Sequence, residues 1–246
     1  NKAGAMREGW YAENGSWYYY NESGLPASGW KYVNGSWYYL DPQNGNRMVA
    51  GGWKVVNGSW YYFYGSGAMA KNWLAAGSDW YYLGEDGAMK TGWQQVYGKW
   101  YYLGKENDGA MKYYWQKIDG KYYWLGHGND GAMKTYWQKI YGKYYFLGSD
   151  GSMRTGWQKI YGKYYYLGGA SDGSMKTGWQ KIGNKKYYFG GANDGVMKTG
   201  WQKIDGKYYY FGGTADGAMK TGWTSVGSKW YYLDSNGVMQ TGYIKT

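Results

Sequence analysis

Tryptophan recurs along the chain as Trp10, Trp30, Trp53, Trp73, Trp93, Trp115, Trp137, Trp157, Trp179, Trp201 and Trp223, at intervals of 20, 22 or 23 residues, and Tyr243 takes the next place. In most repeats a run of three rings begins seven residues after it, as in Trp37-Tyr38-Tyr39 or Tyr208-Tyr209-Tyr210. All eleven methionines stand in the loops before the repeated ring, ten of them four residues ahead of it and Met48 five ahead of Trp53. Rings and a thioether in every repeat, with no carboxylate at a fixed place among them, suit a compact quaternary ammonium. Its methyl-covered charge donates no hydrogen bond and gains most from aromatic faces, and a polarizable sulfur packs well against rings.

Composition narrows the classes. The 246 residues include Gly 45, Tyr 35 and Trp 18 but only 4 Phe and 2 Pro. The mean hydropathy is −0.80 with 23% aromatic residues, so apolar area comes from amphipathic rings. Such ring content is foreign to disordered chains, and no apolar run approaches the roughly 20 residues of a membrane helix. There is no cysteine, which removes disulfides and thiolate metal sites. The single histidine, His127, reads as an exposed loop residue. Nine of the 17 acidic residues (Asp86, Asp108, Asp119, Asp130, Asp150, Asp172, Asp194, Asp205 and Asp216) directly precede glycine, where turn formation explains them. No carboxylate pair stands out for acid–base work and the Asp-Gly loops do not match a calcium-loop pattern. The chain therefore reads as non-catalytic, without metal or cofactor. The formal charge of +11 favours anionic surroundings. The lysines are spread at one or two per repeat, which argues against nucleic acid. Lys117, Lys139 and Lys159 read as solvated-face residues, with proximity to a ligand phosphate as the sharper alternative.

The positioning element is a β-hairpin. Aromatic and β-branched residues flank Asn14-Gly15, Asn34-Gly35, Asn57-Gly58, Asp119-Gly120 and Asp205-Gly206, pairs that supply the two φ > 0 residues of a type I′ turn. With Asp205-Gly206 as the turn, Trp201, Lys203, Tyr208 and Tyr210 share one face, and Ile204, Tyr209 and Phe211 share the other. The second face is the natural inner one, since it holds the regular aliphatic residues. A lone hairpin is marginal in water, whereas eleven in tandem can cover one another. The expected fold is all-β, and residues 1–246 read as one array of about eleven repeats of 20–23 residues without a linker. Its first six residues look like the closing loop of a missing unit and its end like an uncompleted one, as in a piece of a longer parent protein.

The pattern G-W-x-x-x-x-G-x-[WY]-Y-Y-[LF]-x-x-x-G-x-M-x-T-G-W resembles the choline-binding, or cell-wall-binding, repeat of Gram-positive surface proteins and cell-wall hydrolases. The resemblance covers essentially the whole chain. It implies a left-handed solenoid of β-hairpins, secreted and attached to the cell wall, which binds phosphocholine on teichoic and lipoteichoic acids, with free choline as a ligand. It also implies sites between consecutive hairpins: the repeated Trp and the first ring of the triplet from one unit, the third ring from the next, and a methionine lining the pocket. Carried onto this sequence, the sites are Trp10, Trp17 and Tyr39; Trp30, Trp37 and Tyr62; Trp53, Trp60 and Tyr82; Trp73, Trp80 and Tyr102; Trp93, Trp100 and Trp124; Trp115, Tyr122 and Phe146; Trp137, Tyr144 and Tyr166; Trp157, Tyr164 and Tyr188; and Trp201, Tyr208 and Tyr232. The lining methionines are Met48, Met69, Met89, Met111, Met133, Met153, Met175 and Met219.

Some positions depart from the pattern. Lys186 puts a cation at the ring position of the Trp179 unit, so that site is expected to reject choline. Tyr114 and Tyr136 replace the glycine before Trp115 and Trp137, adding bulk expected to close or reshape those pockets. The pair Trp223 and Trp230 lacks a following hairpin. Intervals of 22 and 23 residues lengthen the loops and are expected to widen the rotation between neighbours. The competing reading is carbohydrate (glucan) binding on open aromatic platforms, which titration with choline and with dextran separates.

Overall fold

The computed structural model describes residues 6–242; residues 1–5 and 243–246, and with them Tyr243, lie outside the described residues. Its contacts divide into two compact units. One runs to Gln116 and takes in Leu125–Met133; the other comprises Lys117–Trp124 and the chain from Lys134 onward.

The fold is all-β. Among the described residues the strands form eleven sheets, ten of them two-stranded. In the remaining sheet, Gly29–Val33 and Ser36–Asp41 are joined by the short strand Arg47–Met48, after a 3₁₀ turn at Pro42–Asn44. Hairpins are named below by their first tryptophan. Their register follows the turn chemistry: Asp205 and Gly206 have φ of 49° and 76°, and Trp201 pairs with Tyr210, Gln202 with Tyr209 and Lys203 with Tyr208. Tyr97, Tyr141 and Tyr161 take the same first turn position at φ of 48–49°. A bulky residue rarely adopts that conformation, and these tyrosines carry no turn signal in the sequence. Tyr141 lies edge-on to Trp124, and Tyr161 edge-on to Phe146, so ring contacts between successive hairpins accompany the strained backbone.

Strand alternation then builds the core. The last residue of each aromatic run from Leu40 onward (Leu40, Phe63, Leu83, Leu103, Leu125, Leu147, Leu167, Phe189, Phe211 and Leu233) has 0% exposure. Each such side chain contributes about 1.5–3 kcal/mol on burial. Val56, Val96, Ile140, Ile160 and Ile204 are buried too, so the face with the aliphatic residues is the inner one. Within each unit the face of one hairpin covers its predecessor: Trp30 lies against Tyr61 and Phe63 of the next hairpin, and Trp179 against Tyr209 and Phe211.

The loop that leaves each hairpin reaches back to the one before. The Met69 N–H donates to the Trp37 carbonyl and the Met111 N–H to the Trp80 carbonyl; Met175 and Met197 do the same for Tyr144 and Tyr164, all at 2.7–2.8 Å. The Met69 side chain rests on Gly87 of the following loop, where a Cβ would come within 2.3 Å of the sulfur at a φ of +77°. Only glycine fits there.

Longer intervals do not widen the stacking. The centroid distance from the repeated Trp to the middle ring of the next hairpin is 4.8 Å for Trp53–Tyr81, across an interval of 20 residues. It is 4.9 Å for Trp179–Tyr209 across 22 residues and 4.8 Å for Trp30–Tyr61 across 23. The extra residues are absorbed as an additional turn, in which the Asp194 N–H donates to the Gly191 carbonyl, and this ring contact keeps its distance.

Candidate functional site

Four pockets between consecutive hairpins show how the fold gathers its rings. The first, of about 410 Å³, is lined by Trp10, Trp17, Tyr38, Met48, Gly65 and Ser66. The second, of about 330 Å³, is lined by Trp30, Trp37, Tyr61, Met69, Glu85 and Asp86. The third, of about 250 Å³, is lined by Trp73, Trp80, Tyr101, Met111, Asn129 and Asp130. The fourth, of about 330 Å³, involves Trp179.

In the first three, the repeated Trp and the first ring come from one hairpin. In the Trp30 pocket these two rings are nearly perpendicular, 6.4 Å apart at 86°, and the Trp53 hairpin repeats this with Trp60 at 6.4 Å and 84°. The next hairpin supplies its middle ring: Trp10–Tyr38 at 4.8 Å, Trp73–Tyr101 at 4.9 Å, Trp157–Tyr187 at 4.9 Å and Trp201–Tyr231 at 4.8 Å. The methionine comes from the loop that follows that second hairpin.

In these three pockets the ring from the next hairpin is Tyr38, Tyr61 or Tyr101, where the sequence-based trios expected Tyr39, Tyr62 or Tyr102. The third rings pack on the Trp of their own hairpin at 5.1–5.3 Å: Tyr39 on Trp30, Tyr62 on Trp53, Tyr82 on Trp73, Tyr102 on Trp93, Phe146 on Trp137, Tyr166 on Trp157, Tyr188 on Trp179 and Tyr232 on Trp223. The cause is strand alternation. A hairpin covers its predecessor with its inner face, and the middle ring stands on that face while the first and third rings stand on the other. Trp10 and Trp17, Trp30 and Trp37, and Trp73 and Trp80 each line one pocket together. The Trp137 hairpin, with Tyr144 as first ring, meets Tyr165 instead of Tyr166. Trp93, Trp100 and Trp115 belong to the first unit and Trp124 and Tyr122 to the second. Met197 and Met239 make the same backbone bond, their N–H groups donating to the Tyr164 and Tyr208 carbonyls at 2.8 Å as Met89, Met133 and Met153 do to Trp60, Trp100 and Tyr122.

The pocket rims are polar. Asn107 accepts from the Trp60 indole N–H at 3.0 Å, and Asn193 accepts from the Tyr144 hydroxyl at 3.4 Å. Asp86 accepts from Lys90 at 3.2 Å and from the Ala88 N–H at 3.1 Å; these bonds hold its carboxyl below the ordinary carboxylate range against the opposing effect of desolvation. The loop acids Asp86, Asp108, Asp172, Asp194 and Asp216 are thus turn-closing groups with lysine partners, as in Asp194–Lys198 and Asp216–Lys220, both 2.6 Å. Burial pushes the middle-ring phenols Tyr81, Tyr101 and Tyr165 up from their ordinary values.

Two classes of first ring differ in what already lies over them. Lys117, Lys139, Lys159 and Lys203 place their ammonium groups 5.3–5.5 Å from the ring centres of Tyr122, Tyr144, Tyr164 and Tyr208. The corresponding neighbours of Trp17, Trp37, Trp60 and Trp80 are Ala12, Tyr32, Val55 and Ala75. Tyr114 and Tyr136 are exposed and at φ of 60–63°, Tyr114 against Tyr113 and His127, Tyr136 against Phe146. Trp223 and Trp230 are 54% and 67% exposed. Among the described residues no group of three or more His, Asp or Glu could hold a metal ion, and no helix is long and apolar enough to cross a membrane.

The family model of the choline-binding repeat matches residues 7–51, 49–91, 134–177 and 176–221, well over half of the chain. This protein belongs to the choline-binding repeat family. A cell wall binding repeat model matches much of the rest, at residues 91–111, 115–133 and 221–239. Among solved structures, the choline-binding chain is similar to CbpJ from Streptococcus pneumoniae TIGR4, with a TM-score of 0.69 and 31% identity over 94% of this chain and 93% of that one. Choline binding protein F from Streptococcus pneumoniae, in the presence of a peptidoglycan analogue, matches with a TM-score of 0.66 and 31% identity over 94% and 92%. The modular autolysin LytC of the same organism matches with a TM-score of 0.57 and 29% identity over 97% of this chain and 53% of its own. No curated protein sequence matches the choline-binding chain. Its all-β tandem hairpins are those of a choline-binding repeat solenoid, and it is a cell-wall and choline-binding module.

Proposed function

We propose that this array is a non-catalytic attachment module of a secreted protein, and that it holds phosphocholine groups of teichoic and lipoteichoic acids in aromatic cages. Each cage consists of the repeated Trp, the first ring of the same hairpin, the middle ring of the next hairpin and a methionine. The observation that supports this most is the recurrence of that set at Trp10, Trp30 and Trp73. Glu85 and Asp86 at the rim of the Trp30 cage add attraction for a cation.

One cage is weak. A cation–π contact is worth about 0.5–2 kcal/mol per ring, which after the cost of association leaves roughly millimolar affinity. Several cages acting on one polymer gain about 10²–10⁴ through effective concentration. The early cages with two tryptophans and no lysine over the first ring are the strongest. Titration of tryptophan fluorescence with choline and with dextran tests the reading: choline produces a saturable change and dextran none. A response to dextran alone replaces it with the carbohydrate reading.

A further inference from the structure

The fourth pocket breaks the cage pattern in charge. It is about 330 Å³ and is lined by Trp179, Gln180, Lys181, Lys186, Tyr209, Met219 and Asn236. The aromatic first ring is absent from it, and Lys186 stands at that position. In the Trp137, Trp157 and Trp201 hairpins the lysine on the opposite strand lies over a tyrosine ring, whereas Lys181 pairs directly with Lys186. Two like charges opposite one another on one face destabilise a hairpin. Among the described residues neither ammonium has an acidic partner. The nearby carboxylate of Asp216 is taken by Lys185 at 3.3 Å and Lys220 at 2.6 Å. Trp179 and Tyr209 still form an aromatic wall 4.9 Å apart, and Asn236 adds a neutral amide to the lining.

We propose that this pocket binds a phosphate ester and not a quaternary ammonium, with Lys181 and Lys186 on its oxygens and Trp179 and Met219 along its organic part. Two ammonium groups lining one pocket repel a trimethylammonium and satisfy anionic phosphate oxygens through charge-assisted hydrogen bonds. The choice of phosphate over carboxylate rests on the function proposed above: a polymer held by its choline groups in neighbouring cages carries a phosphate beside each of them. The array thus grips both ends of the phosphocholine unit, in different pockets.

The test uses the full chain labelled with ¹⁵N and follows its indole N–H resonances at constant ionic strength, with glycerol phosphate, choline chloride and sodium acetate as separate probes. The Trp179 resonance moves saturably with glycerol phosphate and does not respond to choline or acetate. The K181Q/K186Q variant weakens that response about tenfold, as the loss of charged hydrogen bonds requires, while Trp157 and Trp201 still respond to choline and so report an intact fold. K186Y gives Trp179 a choline response. A silent Trp179, an equal response to acetate, or a choline response at Trp179 in the unaltered chain overturns the proposal. Loss of choline responses at every other indole with glycerol phosphate still binding at Trp179 overturns the cage reading and leaves this one standing.

Discussion

Tyr61 and Tyr62 are neighbours in one strand and point to opposite sides of it, so together they isolate the third wall of a cage. Tyr61 lines the Trp30 pocket, while Tyr62 packs on Trp53 of its own hairpin. Tyr61→Leu is expected to weaken choline at the Trp30 pocket by roughly tenfold, the worth of one favourable cation–π contact. Tyr62→Leu leaves that pocket unchanged. The indole resonances of Trp30 and Trp37 read both, and equal losses would rule out the middle ring as the wall. This position also shows where the sequence was legible. Alternation placed the Tyr209-type ring on the face with the aliphatic residues, and that is the face laid over the preceding tryptophan. Which faces meet depends on contacts between hairpins, which no local motif records. The family resemblance supplied the ring one residue further on, and in a strand one residue is a change of face.

The hairpin was legible because its determinants are local: two φ > 0 residues at the tip and strict alternation beside them. Loops were harder to read. The longest interval, between Trp30 and Trp53, is closed by a device with no repeat signature. Asp41, at 5% exposure, caps the 3₁₀ turn by accepting from the Gln43 N–H at 3.0 Å, and it accepts from Lys54 of the next hairpin at 2.7 Å. The bond from Lys54 holds the carboxyl of Asp41 below its ordinary value of 3.8, outweighing the desolvation that opposes it. A carboxylate with a lowered folded pKa stabilises above its unfolded pKa, and the contribution disappears as pH falls through the folded value. Asp41→Asn is therefore expected to reduce unfolding free energy by about 1–3 kcal/mol at neutral pH, the cost of a lost charged hydrogen bond. The gap between variant and parent closes in acid. Urea unfolding at neutral pH and well below the carboxylate range measures it, and a gap that persists unchanged in acid refutes the role given to Asp41.

Summed over the molecule, the middle rings make stability depend on alkaline pH. Tyr81, Tyr101, Tyr123, Tyr145 and Tyr165 stand at equivalent places in successive hairpins, and burial raises each above the ordinary phenol value of 10.0. Neighbouring Asp residues add to the effect, as Asp172 does for Tyr145 and Asp194 for Tyr165. A raised folded pKa means that the folded chain keeps protons the unfolded chain releases. The stabilisation is complete below about 10 and is lost as pH rises through the folded values, so unfolding becomes easier only beyond the ordinary phenol range. Because Tyr101, one of these rings, also lines the Trp73 pocket, choline that binds the folded chain should delay this loss by mass action. The expected result is a urea midpoint independent of pH from neutral to about 10, a steep fall above it, and a shift of that fall to higher pH with choline present. The last tyrosinate absorbance to appear, beyond that of exposed phenols such as Tyr97, Tyr141 and Tyr161, should rise together with the loss of near-ultraviolet circular dichroism. A midpoint that already declines from neutral pH upward, or a tyrosinate titration that runs to completion while the fold stays intact, would separate the buried rings from the stability of the array.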